Sequence, residues 1–331
     1  MTAVYGILHE RWVRRPEKRA GAQFSSAVAV ATSMTSRDNS GLRGATLPNS
    51  TRTAPGPASV VIACYDDADI VERNLAAFAS QSYRNFEVIL ADDGSPEDYA
   101  PLLQRWAEHF PYPLQHVRHR DQGFRKTRIL NRAVRVSRFD RLIFVDMDCL
   151  PQRDFVRNHL RYLEPGTALA GRRVHVQRQD VPTAQQILNR GLGLGPLRLL
   201  RLWLCGRAAF IEHGLVLPGS YDIPHRGILG SNFSAWKKDL QKINGFNAEF
   251  TGPGWEDTDI DFRLQLAGIR LRTLRHKIVE YHVEHPVRVI NDPVNQARLE
   301  MVQKQGIVRA PVGLAEIQEG DFEHHQYGRD V

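Results

Sequence analysis

Short runs of β-branched and aliphatic residues alternate along the chain with segments of helical periodicity, and this alternation constrains the fold more than any other feature. The predicted elements, in chain order, are a strand over Ser59–Cys64, a helix ending near Gln81, a strand over Phe86–Ala91, a helix over 98–109, a short strand at His116 and Val117, a helix over Lys126–Ser137 and a strand over Arg141–Val145. Strands that alternate with helices predict a mostly parallel α/β sheet of the doubly wound, Rossmann-like type, flanked by helices. Ligands of such sheets bind beyond the carboxyl ends of the strands.

Acidic residues follow these strands at the ends where ligands are expected. Asp146 and Asp148 come directly after the third clear strand. Two carboxylates separated by one residue can bind a divalent cation that also takes oxygens from a diphosphate. Such a triplet also arises as a turn or a helix cap, so its position after a buried strand is what favours a metal site.

A second acidic turn, Asp92–Ser95, follows the preceding strand. It is explained structurally as a strand-to-helix turn with a capping residue. An ionised carboxylate at this position, Asp93, can also accept a hydrogen bond from N3–H of a uracil ring. The sequence leaves both roles open.

Basic residues cluster where the helix over Lys126–Ser137 begins. Lys126 and Arg128 lie in the first turn of this helix, where the helix dipole also favours anions. A diphosphate suits this position, although a solvated basic face is an equally good interpretation. No module that reads nucleic acid is recognisable around these residues, so nucleic acid is not expected as a partner.

A third acidic cluster opens a later helix, after a loop rich in glycine and proline that begins at Gly252. Helix capping explains some of its carboxylates but not all of them. Glu256 and Asp257 are therefore candidates for catalysis, since a carboxylate here can deprotonate an acceptor hydroxyl. The neighbouring Trp255 offers an apolar ring on which a sugar can stack.

Histidines follow a probable strand near residue 281. His282 can complete a metal site begun by Asp148, because imidazole suits transition metals such as Mn²⁺. The plainer interpretation is a surface histidine, and it applies more strongly to His285.

The composition of the chain indicates what kind of partner it binds and in which cellular compartment it is expected. The 331 residues carry a formal net charge of +7, which suggests an anionic partner. Three cysteines without CxxC spacing favour neither a disulfide framework nor a cysteine zinc site, so a cytoplasmic location is expected. No apolar run is long enough to span a membrane, but Leu194–Cys205 interleaves leucines with Arg198 and Arg201. This segment is either a buried helix or a peripheral contact with the inner membrane.

Seven short segments, in this order, resemble family 2 glycosyltransferases, with a C-terminal part similar to the acceptor region of galactosyltransferases. The segments are Ser59–Tyr65, Asp92–Ser95, Gly123–Asn131, Asp146–Asp148, Gly230–Ser234, Gly245–Phe246 and Gly254–Asp257. The resemblance implies the GT-A fold, a nucleotide-sugar donor that is usually UDP-linked, and inverting transfer assisted by Mn²⁺ or Mg²⁺.

The resemblance also implies roles for single residues. Asp93 would contact uracil, Asp148 would coordinate the metal, and Asp146 would lie near the donor and the metal. Asp257 would be the general base and Glu256 would hold a sugar.

Two departures weaken the expected backbone contacts to the base. Ala63 and Cys64 replace the usual Pro-Thr, and Asp66 replaces an asparagine. The predicted donor-binding set is completed by four further residues, Asp66, Lys126, Arg128 and Trp255.

The predicted domain organisation follows from these assignments. Residues 1–56 are basic and of low complexity and are expected to be disordered. Residues 57–285 form the glycosyltransferase domain, with a donor half over 57–152 and an acceptor half over 153–285 that contains an insertion over 180–228. Residues 286–331 are expected to be a tail.

The predicted reaction is transfer of a single sugar, because the QxxRW signature of processive synthases is missing. The Trp-Glu-Asp segment resembles that of galactose and N-acetylgalactosamine enzymes, and the resemblance favours these two sugars. The expected acceptor is a glycan or a lipid-linked glycan of the cell surface. Two alternatives remain open at this point: a sugar nucleotidyltransferase-like enzyme, and a non-catalytic protein that binds carbohydrate or nucleotide.

Overall fold

The structure is a computed structural model, and it describes residues 56–110, 113–215, 221–285 and 292–328. The predicted extension over residues 1–56 lies outside the described residues except for Gly56. So do residues 286–291 and 329–331 of the predicted tail.

The described residues contain strands that form two sheets. These strands are β1 (Ala58–Cys64), β2 (Phe86–Asp92), β3 (Leu114–Arg118), β4 (Arg141–Asp146), β5 (Cys149–Pro151), β6 (Thr167–Ala170), β7 (Arg172–Gln177), β8 (Ala208–Ala209), β9 (Asp222–Ile223), β10 (Asn232–Trp236), β11 (Arg270–Leu274), β12 (Val279–Glu284) and β13 (Glu323–Tyr327).

The α-helices pack on both faces of the larger sheet and on one face of the smaller one. They are α1 (Ala68–Ala79), α2 (Ala100–Ala107), α3 (Lys126–Val136), α4 (Phe155–Tyr162), α5 (Ala184–Arg190), α6 (Pro196–Leu204), α7 (Lys237–Lys242), α8 (Glu256–Leu266) and α9 (Pro293–Gln305). Within the described ranges, no helix combines the length and the apolar character needed to cross a bilayer.

The larger sheet has nine strands in the order β13-β3-β2-β1-β4-β10-β6-β11-β9. Its centre, β3-β2-β1-β4, is parallel, which confirms the predicted α/β core. In this register Cys64 lies beside Asp92, and Ala63 lies beside Asp146. The acidic turns that follow β1, β2 and β4 therefore meet at one edge of the sheet.

The central strands are apolar throughout because both of their faces are covered. On β1, Val60 and Ile62 belong to a core shared with α1, α2 and α4. Val61, between them, belongs to a second core shared with α3 and α8. This double burial fixes the register of β1, β2 and β4 and so fixes where their carboxyl ends lie.

The smaller sheet, β5-β12-β7-β8, stands beside the acid pair. Strands β7 and β12 are parallel, and His175 lies next to His282. Their apolar residues pack against α6 in a third core. Because side chains alternate along a strand, the histidines lie on the opposite face from that core.

The predicted tail is part of the fold. Strand β13 pairs antiparallel with β3 and forms an edge of the larger sheet. Helix α9 supports the loop before α8, since Nδ2 of Asn295 donates to the carbonyls of Thr251, Gly252 and Gly254 at 3.0, 3.3 and 3.2 Å. The sequence of β13, Glu-His-His-Gln-Tyr, lacks the apolar alternation of a half-buried strand, and it was therefore not recognisable as a strand.

A buried arginine joins α8 to the loop after α7. The side chain of Arg263 is fully buried and donates to Asp259 Oδ2 at 2.6 and 2.9 Å. It also donates to the carbonyls of Ile243 and Gly245 at 2.9 and 2.8 Å. Asp259, one of the acids near the start of α8, thus has a structural role.

We predict that Arg263→Met destabilises the fold by about 3–5 kcal/mol, because it leaves Asp259 buried without a counter-charge. Urea unfolding measures the change. Arg270→Met is the control: it breaks an ion pair with Glu164 whose arginine is 65% exposed, and it should cost less than about 1 kcal/mol. Equal losses in the two variants would contradict this account.

Candidate active site

The acid pair lies on a loop that is held by backbone and amide hydrogen bonds. The N–H of Met147 donates to the carbonyl of Ala63 at 2.9 Å, which ties the loop to the end of β1. Asn74, fully buried on α1, donates from Nδ2 to the carbonyls of Asp146, Met147 and Cys149 at 3.3, 2.9 and 2.9 Å. The sequence signal for Asn74 is a lone amide within an apolar helix face, and the sequence analysis missed it.

Asp148 lies against two histidines. Its Oδ2 is 2.9 Å from Nε2 of His285 and 3.5 Å from Nε2 of His282, while Oδ1 is buried and has no hydrogen-bond partner among the described residues. Burial acts to raise the pKa of Asp148, but hydrogen bonds from His282 and His285 outweigh it and hold that pKa well below its ordinary value. An unsatisfied carboxylate oxygen beside imidazole nitrogens is a donor set that fits a divalent cation such as Mn²⁺.

A third histidine, His175, adjoins this group and is paired with Glu284. His175 Nδ1 lies 2.8 Å from Glu284 Oε1, and its ring centroid is 4.7 Å from that of His282. Burial lowers the pKa of His175 and so favours the neutral form of its ring. The alternating pattern of β7, Arg-Arg-Val-His-Val-Gln, is the signal that could have placed His175 beside His282.

Lys126 joins the acid pair to the acids of α8. Its Nζ lies 2.5 Å from Asp146 Oδ1. Burial alone acts to lower the pKa of Lys126, but neighbouring carboxylates outweigh this effect and raise it. Those carboxylates are Asp146, Asp257 and Glu256. Residues from α3, β4 and α8 are thus brought into one electrostatic cluster.

Asp257 is held at the start of α8 by the backbone of Gly230. The N–H of Gly230 donates to Asp257 Oδ2 at 2.8 Å. A Cβ atom on residue 230 would lie 2.2 Å from Asp257 Oδ1, so only glycine allows this approach. Burial raises the pKa of Asp257 and makes its carboxylate a stronger base.

Glu256 lies beside Asp257 and shares its burial. Burial, followed by the charge of Asp257, raises the pKa of Glu256 to about 7. Its Oε2 is buried and accepts no hydrogen bond from the described residues. The preceding Trp255 adopts a left-handed backbone conformation, with φ of 72°, that is rare for a bulky residue. Such strain is concentrated at functional sites.

Arg173 is a cation of the site that the sequence analysis missed. Burial opposes its charge, but the acidic groups around it raise the pKa of Arg173. These groups are Cys149, Glu280, Asp148 and Asp146. Arg173 alternates with buried valines on β7, as does His175, which directs both toward the polar face of the smaller sheet.

The turns at the ends of β1 and β2 are tied to their neighbours. Asp93 Oδ1 lies 2.7 Å from Nε2 of His119, and Oδ2 accepts the N–H of Arg125 at 2.9 Å. Asp66 has a φ of 62°, and its N–H donates to Oγ of Ser95 at 2.9 Å. Contacts of Asp93 and Asp66 with a nucleotide base stay predictions.

Arg128 contacts residues that precede β13, and its contact with a diphosphate stays a prediction. Its guanidinium is paired with Asp321 and lies 5.7 Å from the ring centroid of Phe322. Both partners belong to the segment leading into β13. Lys126 lies two residues before Arg128 in α3 and meets the acid pair through Asp146.

We predict that Glu256 makes stability depend on pH. A pKa raised from 4.5 to about 7 means that the folded protein binds this proton more tightly than the unfolded chain does. The free energy of unfolding should therefore fall between about pH 4.5 and 7. Urea unfolding at pH 5 and 8 with a chelator should show a drop that is roughly 1–3 kcal/mol smaller in Glu256→Gln. The exposed Glu300→Gln should reproduce the wild-type drop, and an unchanged drop in Glu256→Gln would contradict the assignment.

Two family models match the chain. Residues 59–213 match "Glycosyl transferase family 2", and residues 216–286 match "N-terminal domain of galactosyltransferase". Together they include every residue of the acid pair, the smaller sheet and the α8 acids.

Curated relatives are about a quarter identical to the chain over the aligned residues. Chondroitin synthase of Pasteurella multocida is 26% identical over 69% of this chain and 25% of its own length. Hyaluronan synthase of Pasteurella multocida is 26% identical over 69% of this chain and 24% of its length. The uncharacterized glycosyltransferase YfnE of Bacillus subtilis is 28% identical over 69% of this chain and 65% of its length. The chain thus spans about a quarter of the length of the two synthases.

Solved structures share the fold. S. aureus TarS superposes with a TM-score of 0.51 at 16% identity, over 78% of this chain and 41% of that one. The structure of GalNAc-T7 with UDP, GalNAc and Mn²⁺ gives a TM-score of 0.52 at 12% identity, over 74% of this chain and 48% of that one. The family models and the relatives named as synthases and glycosyltransferases decide against the nucleotidyltransferase-like and non-catalytic alternatives. The chain belongs to the family 2 glycosyltransferases and is an enzyme of the GT-A fold.

Proposed function

We propose that the chain transfers a single hexose or N-acetylhexosamine from a UDP-sugar to a glycan or lipid-linked glycan, with inversion and with Asp257 as the general base. The observation that carries the proposal is the cluster around Lys126. It connects a buried, basic carboxylate on α8 with the acid pair that follows β4. An in-line displacement needs a base on one side of the anomeric carbon and a diphosphate-binding group on the other. We assign the α8 carboxylate to the first role and the acid pair to the second.

Asp257 is suited to remove a proton. Its carboxylate is fixed by the N–H of Gly230, and burial raises its pKa. As the acceptor oxygen attacks the anomeric carbon, its proton passes to the Asp257 carboxylate. The bond from the anomeric carbon to the diphosphate oxygen breaks on the opposite face, and UDP leaves. A positioned base of this kind typically contributes about 10²–10⁴-fold to the rate.

The leaving-group side is cationic. Negative charge develops on the departing diphosphate, so fixed positive groups stabilise the transition state. Lys126 and Arg173 both lie within electrostatic reach of Asp146. Asp148 and His282, with His285 beside them, would hold the divalent cation, which when bound neutralises diphosphate charge. The predicted contact of Arg128 with the diphosphate stays a prediction; in the structure its guanidinium is paired with Asp321.

The sugar is held at the start of α8. Glu256 has a pKa of about 7, so near neutral pH a large fraction of it is protonated and can donate a hydrogen bond to a sugar hydroxyl. The strained Trp255 supplies an aromatic ring for stacking against a sugar.

The names of similar proteins support the donor and the product class. Two relatives are named chondroitin synthase and hyaluronan synthase, which are polysaccharide synthases, and one matched structure contains UDP, GalNAc and Mn²⁺. We infer a UDP-sugar donor, with galactose or N-acetylgalactosamine favoured. We also infer a role in the synthesis of a cell-surface polysaccharide or lipopolysaccharide.

We predict that Asp257→Asn lowers kcat by about 10²–10⁴-fold while UDP binding changes little, because the amide still accepts the N–H of Gly230 but cannot take a proton. Release of UDP from a panel of UDP-sugars and acceptors measures turnover, and calorimetry measures binding. Asp261→Asn removes a charge from the same helix at a residue held by His225 and should keep turnover within a few-fold. Near wild-type turnover in Asp257→Asn would refute the base assignment.

We predict that Asp148→Asn abolishes the gain in UDP affinity that Mn²⁺ produces, since a neutral amide is a poor ligand for a hard cation. Calorimetric titration of UDP with Mn²⁺ and with chelator gives the comparison. The exposed Asp140→Asn is the control and should keep the gain. A metal-dependent gain in Asp148→Asn equal to that of wild type would exclude Asp148 as a ligand.

A further inference from the structure

Helix α6 presents an apolar stripe to solvent. Leu197, Leu200 and Leu204 are 85%, 42% and 63% exposed. Their spacing of three and four residues places them on one face of the helix. They are three of the seven large apolar residues that the described part of the chain exposes, although α6 has only nine residues. This concentration marks a surface for interaction rather than a random scatter.

The opposite face of α6 is already used by the fold. Leu199 and Leu202 are buried in the core that the helix shares with the smaller sheet. The exposed leucines therefore cannot turn inward without opening that core. On the helical wheel Arg201 flanks the exposed stripe on one side and the half-buried Trp203 flanks it on the other.

The sequence that contains the stripe is basic. Residues 181–211 contain four arginines and neither aspartate nor glutamate. Arg207 is paired with Asp180, which precedes this stretch. Arg190, Arg198 and Arg201 form no ion pair with any carboxylate among the described residues. Apolar residues flanked by unpaired arginines and a tryptophan are complementary to the acyl boundary and anionic headgroups of a bilayer.

We propose that α6 docks the protein on an anionic lipid surface, with its three exposed leucines in the acyl boundary and its arginines at the headgroups. A second copy of the chain is a poorer occupant, because a two-fold contact through this face would oppose like charges. Docking through α6 leaves the active site open. That site lies on the other face of the smaller sheet, where His175 and His282 are found.

Co-sedimentation of the full chain with vesicles tests the proposal. Wild type should bind vesicles of phosphatidylcholine with 30% phosphatidylglycerol and bind pure phosphatidylcholine much less. Leu197→Gln/Leu204→Gln should lower the partition coefficient on anionic vesicles about tenfold or more, since two apolar side chains no longer enter the acyl boundary. Arg190→Glu/Arg201→Glu should lower it at least as much, and this loss should shrink at high salt.

The matched control is Leu266→Gln/Met301→Gln, which removes two exposed apolar side chains elsewhere (42% and 53% exposed) and should bind as wild type does. Circular dichroism checks that every variant is folded. The proposal is overturned if wild type does not bind anionic vesicles, or if the leucine variant binds as well as the control. It is also overturned if sedimentation shows a dimer that Leu197→Gln/Leu204→Gln dissociates while vesicle binding is unchanged.

Discussion

One ammonium group, that of Lys126, sets the arrangement of the active site. Its charge interacts with three carboxylates from two different elements, and carboxylates that share a site repel each other unless a cation offsets their charge. The positive group allows Asp146 to stay near the acids of α8. In the proposed mechanism a diphosphate competes with Asp146 for the same ammonium group. The proposal therefore links donor binding and the charge state of the site through one side chain.

Buried polar groups fix the loops that carry this chemistry. The two N–H groups of the Asn74 amide are shared among three carbonyls of the acid-pair loop, and Arg263 satisfies two carbonyls before α8. Loops need such partners because a buried carbonyl without a donor is costly. Gly230 acts in the same way on Asp257, through an N–H that only a residue without a side chain can bring close enough. The rigid positions of the acids thus come from residues that do no chemistry themselves.

The sequence predicted the parts of the site that follow local rules. Strand runs and the residues at their ends located Asp146, Asp148 and Asp93, because double burial makes central strands continuously apolar. Arg173 and His175 were missed because their strand can be placed beside β12 only through a long-range pairing. Arg128 was assigned to the diphosphate from its position in the first turn of α3. Its partner Asp321 lies 193 residues away, in a segment whose pattern suggested a tail.

The two faces of the smaller sheet carry different kinds of side chain. Side chains alternate along β7 and β12, so valines face α6 while His175 and His282 face the site. A substitution of one of these valines disturbs the support of α6, and a substitution of one of the histidines disturbs the metal side. The same strands therefore support the proposed docking helix on one face and the proposed metal site on the other.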